Sequence, residues 1–245
     1  MVCNSGTSLA PAINGTMHHF NYVGLYDGLA VIQDSETKTL WNHITGEALY
    51  GPLVGRTLGN MSNLLQMTVS QALEMDPATQ VAISDRTYFA GGRELGTAPG
   101  LSPRPWAPDN PNAQLGPNFV RSLGEEDTRR PRMDLGLGIW TAKTRRYYPT
   151  ARIRENGDAL IDEVDGRKVL IYIDTETSIP AALFADAKKA ERKSNEVRLD
   201  NGAVVRSGVF YDSTGKRQNA DRPQQLFTRW YGFALTFPGA EIFGQ

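Results

Sequence analysis

Sulfur and imidazole are scarce in this chain, and what there is sits at one end. One cysteine and three histidines serve 245 residues, and all four (Cys3, His18, His19 and His43) fall within the first 43 positions. A single cysteine excludes an internal disulfide. No apolar run approaches the ~20 residues that a membrane-spanning helix needs. There is no basic excess either: the formal net charge is -1, which argues against a nucleic-acid surface, because phosphate binding shows as clustered positive charge. No phosphate-binding loop or dinucleotide fingerprint is present. Gly136 and Gly138 lie inside a strand-like run that no helix follows. The chain opens directly on Met1-Val2-Cys3 with no leader, so as given it reads as a soluble cytoplasmic protein, or an exported one if a leader is missing from this start.

What is present is the composition of a folded protein. Hydrophobic residues make up 40% and charged residues 22%, enough to fill one large β-rich domain or two small ones. Residues 17–67 read as short strands divided by turns. Gly28 to Asp34 and Thr39 to Ile44 are strands, and Tyr26-Asp27-Gly28, Asp34-Ser35 and Gly51 to Gly55 are turns. Met67 to Met75 predicts a short helix with Ser70 as N-cap, closed by Asp76-Pro77. Gln80 to Ser84 predicts a further strand.

Residues 85–134 differ in kind. Seven prolines between Pro99 and Pro131, Gly91-Gly92 and a mixed Arg/Glu/Asp cluster leave little to bury. Strand character returns at Leu135 to Thr141 and at Lys168 to Asp174, the latter apolar enough to be buried on both faces. Asn156-Gly157 and Asp165-Gly166 are turn dipeptides. The run Ala187 to Ser194 favours an exposed helix or charged loop. Glu196 to Tyr211 reads as a hairpin about Asp200-Asn201-Gly202, and Gln225 to Phe237 as an amphipathic helix stopped by Pro238-Gly239.

The two ends of the chain share an order of strands, a helix closed by proline, and a short strand, which predicts a diverged internal repeat. The fold class expected is therefore α+β, mainly β. Two similar sheet-rich halves with short helices, 1–84 and 135–245, would be joined by a long Pro/Gly-rich loop, 85–134.

Two stretches carry a family likeness. One is Cys3-Asn4-Ser5-Gly6; the other is Val23 to Gly55, with its Gly24-Leu25-Tyr26 element, Trp41-x-His43-x-x-Gly46-Glu47 and the Gly51-Pro52-Leu53-x-Gly55 turn. Residues 67–84, and the later run through Arg145-Arg146-Tyr147-Tyr148-Pro149 to Asp165-Gly166-Arg167, continue it. The chain resembles the bacterial and archaeal family catalogued as domain of unknown function 3179. The resemblance implies that Cys3 corresponds to the second of two cysteines, and that a preceding copy of the pattern is absent here. It implies no activity.

Cys3, His19 and His43 form the candidate metal set, since thiolate and imidazole suit copper, zinc or iron, with Glu47 available to complete the shell. Adjacent residues on a strand point to opposite faces, so only one of the tandem histidines can join; His19 is taken as inward and His18 as outward. Within Trp41 to Glu47, a strand places Trp41 and His43 on one face. His43 is then a candidate general base and Glu47 an acid/base partner, while Trp41 walls the cofactor or substrate pocket. Cys3 is also a candidate nucleophile beside a histidine. Set against these is the plainer reading in which Trp41 caps a core, the histidines satisfy backbone groups and Cys3 is a small buried hydrophobe. Arg129-Arg130-Pro131-Arg132 beside Glu125 to Asp127 reads as a solvated loop rather than an anion site. Arg145 to Tyr148 reads as structure rather than a stacking platform. The functional expectation is a metal-binding protein or metal-assisted enzyme acting on a small molecule or metal; the alternative is a non-catalytic small-ligand-binding or interaction module.

Overall fold

The computed structural model describes residues 6–59, 61–81, 89–90, 93–94, 115 and 117–245. A two-residue hairpin, β1 (Ala12–Ile13) and β2 (Thr16–Met17), leads into an antiparallel meander of β3 (Phe20–Tyr26), β4 (Leu29–Asp34), β5 (Leu40–Asn42) and β6 (Ala48–Tyr50). Helix α1 (Val69–Met75), a small ladder of β7 (Phe89–Ala90) and β8 (Arg93–Glu94), and the single turn α2 (Pro117–Val120) follow. Then come β9 (Leu135–Trp140), β10 (Arg145–Pro149), α3 (Thr150–Glu155), β11 (Ala159–Val164), β12 (Arg167–Ile173) and β13 (Pro180–Phe184). The chain ends through β14 (Ala190–Lys193), β15 (Glu196–Leu199), β16 (Val204–Arg206), β17 (Val209–Tyr211), β18 (Arg217–Gln218), β19 (Gln224–Arg229), α4 (Trp230–Thr236) and β20 (Glu241–Ile242). The protein is α+β and mainly β.

The sheets stack in layers whose order follows from strand alternation. In the sheet β19-β9-β10-β20, Leu137 and Ile139 of β9 face the sheet β11-β12-β13, where they meet Val169, Ile171 and Ile173. On the other face of β9 the residues are Gly136, Gly138 and Trp140. A Cβ on Gly138 would lie 2.1 Å from the Phe233 ring, so that glycine is what lets α4 lie against the sheet. Leu170 and Tyr172, the alternate residues of β12, face Val197, Leu199 and Val205 of the five-stranded sheet β14 to β18. The run Lys168 to Asp174 is thus buried on both faces, as its composition predicts. The first meander has its own core around Trp41, Ile13, Ala48 and Leu58, and it sends Leu29 and Ile44 into the core built on Trp140, Trp230 and Phe233.

Several local expectations are corrected. Helix α1 is capped by Thr68, not Ser70: Thr68 Oγ1 accepts from the Gln71 amide, and Gln71 Oε1 accepts from the Thr68 amide at 2.9 Å. The run Gln225 to Phe237 is not one helix. Its first part is β19, paired along β9, and helix begins only at Trp230. Long-range pairing overrides helical propensity here, because both faces of β19 bury side chains. Ala190–Lys193, read as helix or loop, is an edge strand whose charged side chains keep that edge solvated. The hairpin at Asp200 to Gly202 exists, but a second turn at Ser207-Gly208, both at positive φ, extends it into a meander through β17. Of the expected Gln80 to Ser84 strand, Gln80 and Val81 are not in a strand and residues 82–84 lie outside the described residues, as does most of the Pro/Gly-rich loop. Within residues 125–134, Arg129 pairs with Asp127, Arg130 with Asp134 and Arg132 with Glu126. Tyr147 and Tyr148 are fully buried.

Candidate functional site

The first meander holds all three histidines. Strand β4 delivers Asp34 into the core at the start of a tight turn to β5, with Lys38 at φ 60°. The Asp34 side chain is fully buried. Its oxygens accept from the Trp41 indole N–H at 2.9 Å, the Thr37 amide at 2.5 Å, the Thr37 hydroxyl at 2.8 Å and the Thr39 amide at 3.2 Å. His18 Nδ1 lies 3.3 Å away. Burial alone would raise the Asp34 carboxyl; the Trp41 indole, the Thr37 amide and hydroxyl and His18 more than offset it and hold the group well below the usual carboxylate range. An ionised carboxylate only accepts, so His18 carries its proton on Nδ1.

The tandem histidines face the reverse of what was expected. His18 is buried and His19 exposed, its side chain 77% accessible. His18 and His19 form the link between β2 and β3 rather than part of a strand, and His18 turns inward beside Asp34, next to the Phe20 ring that packs edge-on against Trp41. His19 Nδ1 instead meets Glu36 Oε1 at 2.7 Å, and this hydrogen bond, with one from the His19 amide, lowers the Glu36 carboxyl. His18, Asp34 and Glu36 place one ligand atom each within 4.8 Å of one another, the one such group of three among the described residues. A metal at that point would have to displace the His18 N–H from a carboxylate already held by four other donor contacts.

The remaining candidates sit elsewhere. Strand β5 ends at Asn42, so His43 belongs to the following turn and does not share a strand face with Trp41. Asn42 Oδ1 caps that turn, accepting from the Ile44 and Thr45 amides. His43 Nδ1 donates to the Ala30 carbonyl at 2.8 Å. Ala30 is at the opposite end of β4 from the Asp34 turn, about 13 Å along an extended strand, so His43 and His19 are not brought together. Glu47 closes the same turn as His43, exposed, with its carboxylate 3.3 Å from the Thr45 hydroxyl. Trp41 is fully buried and spends its N–H on Asp34. Cys3 lies outside the described residues; Thr7, four positions on, donates its hydroxyl to the His43 carbonyl at 2.7 Å.

A second turn repeats the first. Asp174, leaving β12, accepts from the Thr177 amide at 2.8 Å and hydroxyl at 2.9 Å, and Ser178 sits at φ 59°. Backbone bonds match as well: Lys38 to Asp34 and Asp34 to Thr39 in one turn, Ser178 to Asp174 and Asp174 to Ile179 in the other. The place of His18 is taken by Gln71 of α1, whose amide nitrogen lies 3.0 Å from both Asp174 oxygens. Neither aspartate was singled out from sequence as a site residue. The signal was there in Asp34-Ser35-Glu36-Thr37 and Asp174-Thr175-Glu176-Thr177.

The model of the family described as Protein of unknown function (DUF3179) matches residues 1–234 of the 245. The chain belongs to that family. No curated protein and no solved structure matches it. In this member of DUF3179 the Trp41 to Glu47 element divides its labour: Trp41 builds the core under Asp34, while His43 and Glu47 occupy the turn beyond. No helix among the described residues is long and apolar enough to cross a membrane.

Proposed function

We propose that this protein binds a transition metal, or works as an enzyme through one, at the His43 turn, with Cys3, His43 and Glu47 as the ligand and acid/base set. The observation that carries the reading is the hydrogen bond from His43 Nδ1 to the Ala30 carbonyl. A backbone carbonyl on one ring nitrogen orients the imidazole, the arrangement found in metal-ligating histidines. The Thr7 anchor supports the inclusion of Cys3, because four extended residues reach at most about 14 Å. Thiolate, imidazole and carboxylate together suit zinc, copper or iron. His19 is left out, since Glu36 engages its ring at the far end of β4. Elemental analysis of untagged protein tests this. A near-stoichiometric metal lost in His43→Ala and Cys3→Ala but kept in His19→Ala is the expected result. A folded, metal-free protein, or metal content indifferent to both substitutions, overturns it.

A second reading, a non-catalytic small-ligand-binding module, is favoured by one observation. A cleft of about 250 Å³ opens between the β3–β4 tip and the end of α4, lined in part by Ala30 and Asn42 beside the His43 turn. The matched Asp-x-Glu-Thr turns also support descent of the units 1–84 and 135–245 from one repeated element, with 85–134 as the connection between them.

A further inference from the structure

The two Asp-Gly hairpin tips of the protein are built alike and left in different states. Asp27-Gly28 joins β3 to β4 and Asp165-Gly166 joins β11 to β12, with both aspartates at φ 51°. The Asp165 carboxylate is satisfied locally, accepting from the Thr141 hydroxyl at 2.5 Å and the Thr144 hydroxyl at 2.7 Å. The Asp27 carboxylate has no hydrogen bond or ion pair among the described residues, and Asp27 is among the residues that line the cleft beside α4. Asp27 is half-buried and is the one charged residue among those lining the cleft, so its carboxylate is available to a cation there.

The tip that carries Asp27 is clamped. The Gly28 amide donates to the Ser122 carbonyl at 3.1 Å. Gly28 lies so close to Leu123 that a Cβ there would fall 2.5 Å from its Cδ2. Gly124 makes the room for the carboxylate itself, since a Cβ at 124 would sit 2.4 Å from Asp27 Oδ1. The tip that carries the carboxylate is therefore held in place before anything binds, which lowers the ordering cost of recognition. The other walls are mostly apolar: Tyr26, Leu49, Leu235 and Pro238. Asn42 also lines the cleft, but its oxygen is spent on the turn amides.

We propose that this cleft binds a small organic amine, with the ammonium on the Asp27 carboxylate and the carbon skeleton against Leu49, Leu235 and Pro238. The inference rests on the second reading above, that the cleft takes a ligand, and is independent of a metal at His43. A volume near 250 Å³ equals the liquid volume of about eight waters, so the occupant has on the order of ten non-hydrogen atoms. Negative charge and apolar walls select a cation with a hydrocarbon body over an anion or a neutral polyol.

The test titrates the full chain with phenethylammonium, 2-phenylethanol and phenylacetate, following backbone amide shifts of Gly28 and Leu235 by NMR. Saturable binding of phenethylammonium alone is expected, weakened about tenfold or more in Asp27→Asn, because a charge-assisted hydrogen bond is lost. Asparagine tolerates positive φ, so that variant keeps the tip. Gly124→Ala, which pushes the carboxylate aside, is expected to weaken the amine as well while leaving the thermal midpoint unchanged. Equal binding of the alcohol or the acid at these amides, or unchanged amine affinity in Asp27→Asn, overturns the amine assignment while the cleft remains a ligand site. No shift from any of the three overturns both.

Discussion

Replacing Trp41 by phenylalanine isolates the charge at the centre of the first meander. The substitution keeps an aromatic ring but removes the indole N–H that donates to Asp34 Oδ2 at 2.9 Å. A hydrogen bond to a charged group is worth about 1.5–3 kcal/mol. The smaller ring buries some ~40 Å² less apolar surface, another ~1 kcal/mol. The expected loss at pH 7 is therefore about 2.5–4 kcal/mol. For a chain of this length that lowers the thermal midpoint by roughly 5–15 °C. The pH dependence separates charge from packing. The Asp34 carboxyl is depressed in the folded state, so its contribution is full above the unfolded carboxyl value, about 3.9, and is lost as pH falls below that. In Trp41→Phe the folded carboxyl moves back toward its ordinary value, and less remains to lose. The unfolded carboxyl is common to both proteins, so the gap between them closes only as pH falls through the variant's own folded value, which Thr37 and His18 still hold below the ordinary one. Urea denaturation of both proteins across the acid range, with the Asp34 carboxyl of the variant followed by carbon NMR, should show a gap that is constant above that carboxyl's midpoint and narrows below it. A gap that stays constant through that midpoint would refute the argument, because Trp41 would then act through volume alone.

Two further substitutions probe the same scaffold. His18→Gln should stay within about 1 kcal/mol of the parent in urea midpoint, since Gln71 already performs the same N–H donation to Asp174; His18→Ala should lose about 1–3 kcal/mol, and equal damage from both would end the equivalence. Gly138→Ala should cost about 3 kcal/mol by forcing the Phe233 ring off β9, read as a fall in thermal midpoint; a neutral result would mean α4 does not depend on that glycine.

Local chemistry made much of the frame legible. The Asp-Gly tips at 27–28 and 165–166 follow from the need for positive φ at two successive residues. The β-branched run of β12 showed that it is buried on both faces. The helix near residue 70 was evident from its pattern, though its cap was misplaced by two positions. Other features depended on partners far away in the chain. Gln224–Arg229 is a strand because β9, some ninety residues earlier, offers it an edge, and Ala190–Lys193 is one because β15 does. Which tandem histidine turns inward is settled by the link between β2 and β3, where His18 meets the buried Asp34 and His19 meets the partly exposed Glu36, partners that no strand alternation names.

The sequence by itself determined the fold class, the turns, the family, and which residues are able to do chemistry, because composition, backbone strain and two-residue periodicity are local properties. Only the tertiary structure decided what each of those residues does. Asp34 becomes a buried hub when Trp41 and His18 close over it; Asp174 does so only when Gln71 arrives from 103 positions away. Asp27 and Asp165 have the same neighbour and the same backbone angle. They differ because two threonines of the β9–β10 connection reach one of them, and the other stands at the lining of a cleft.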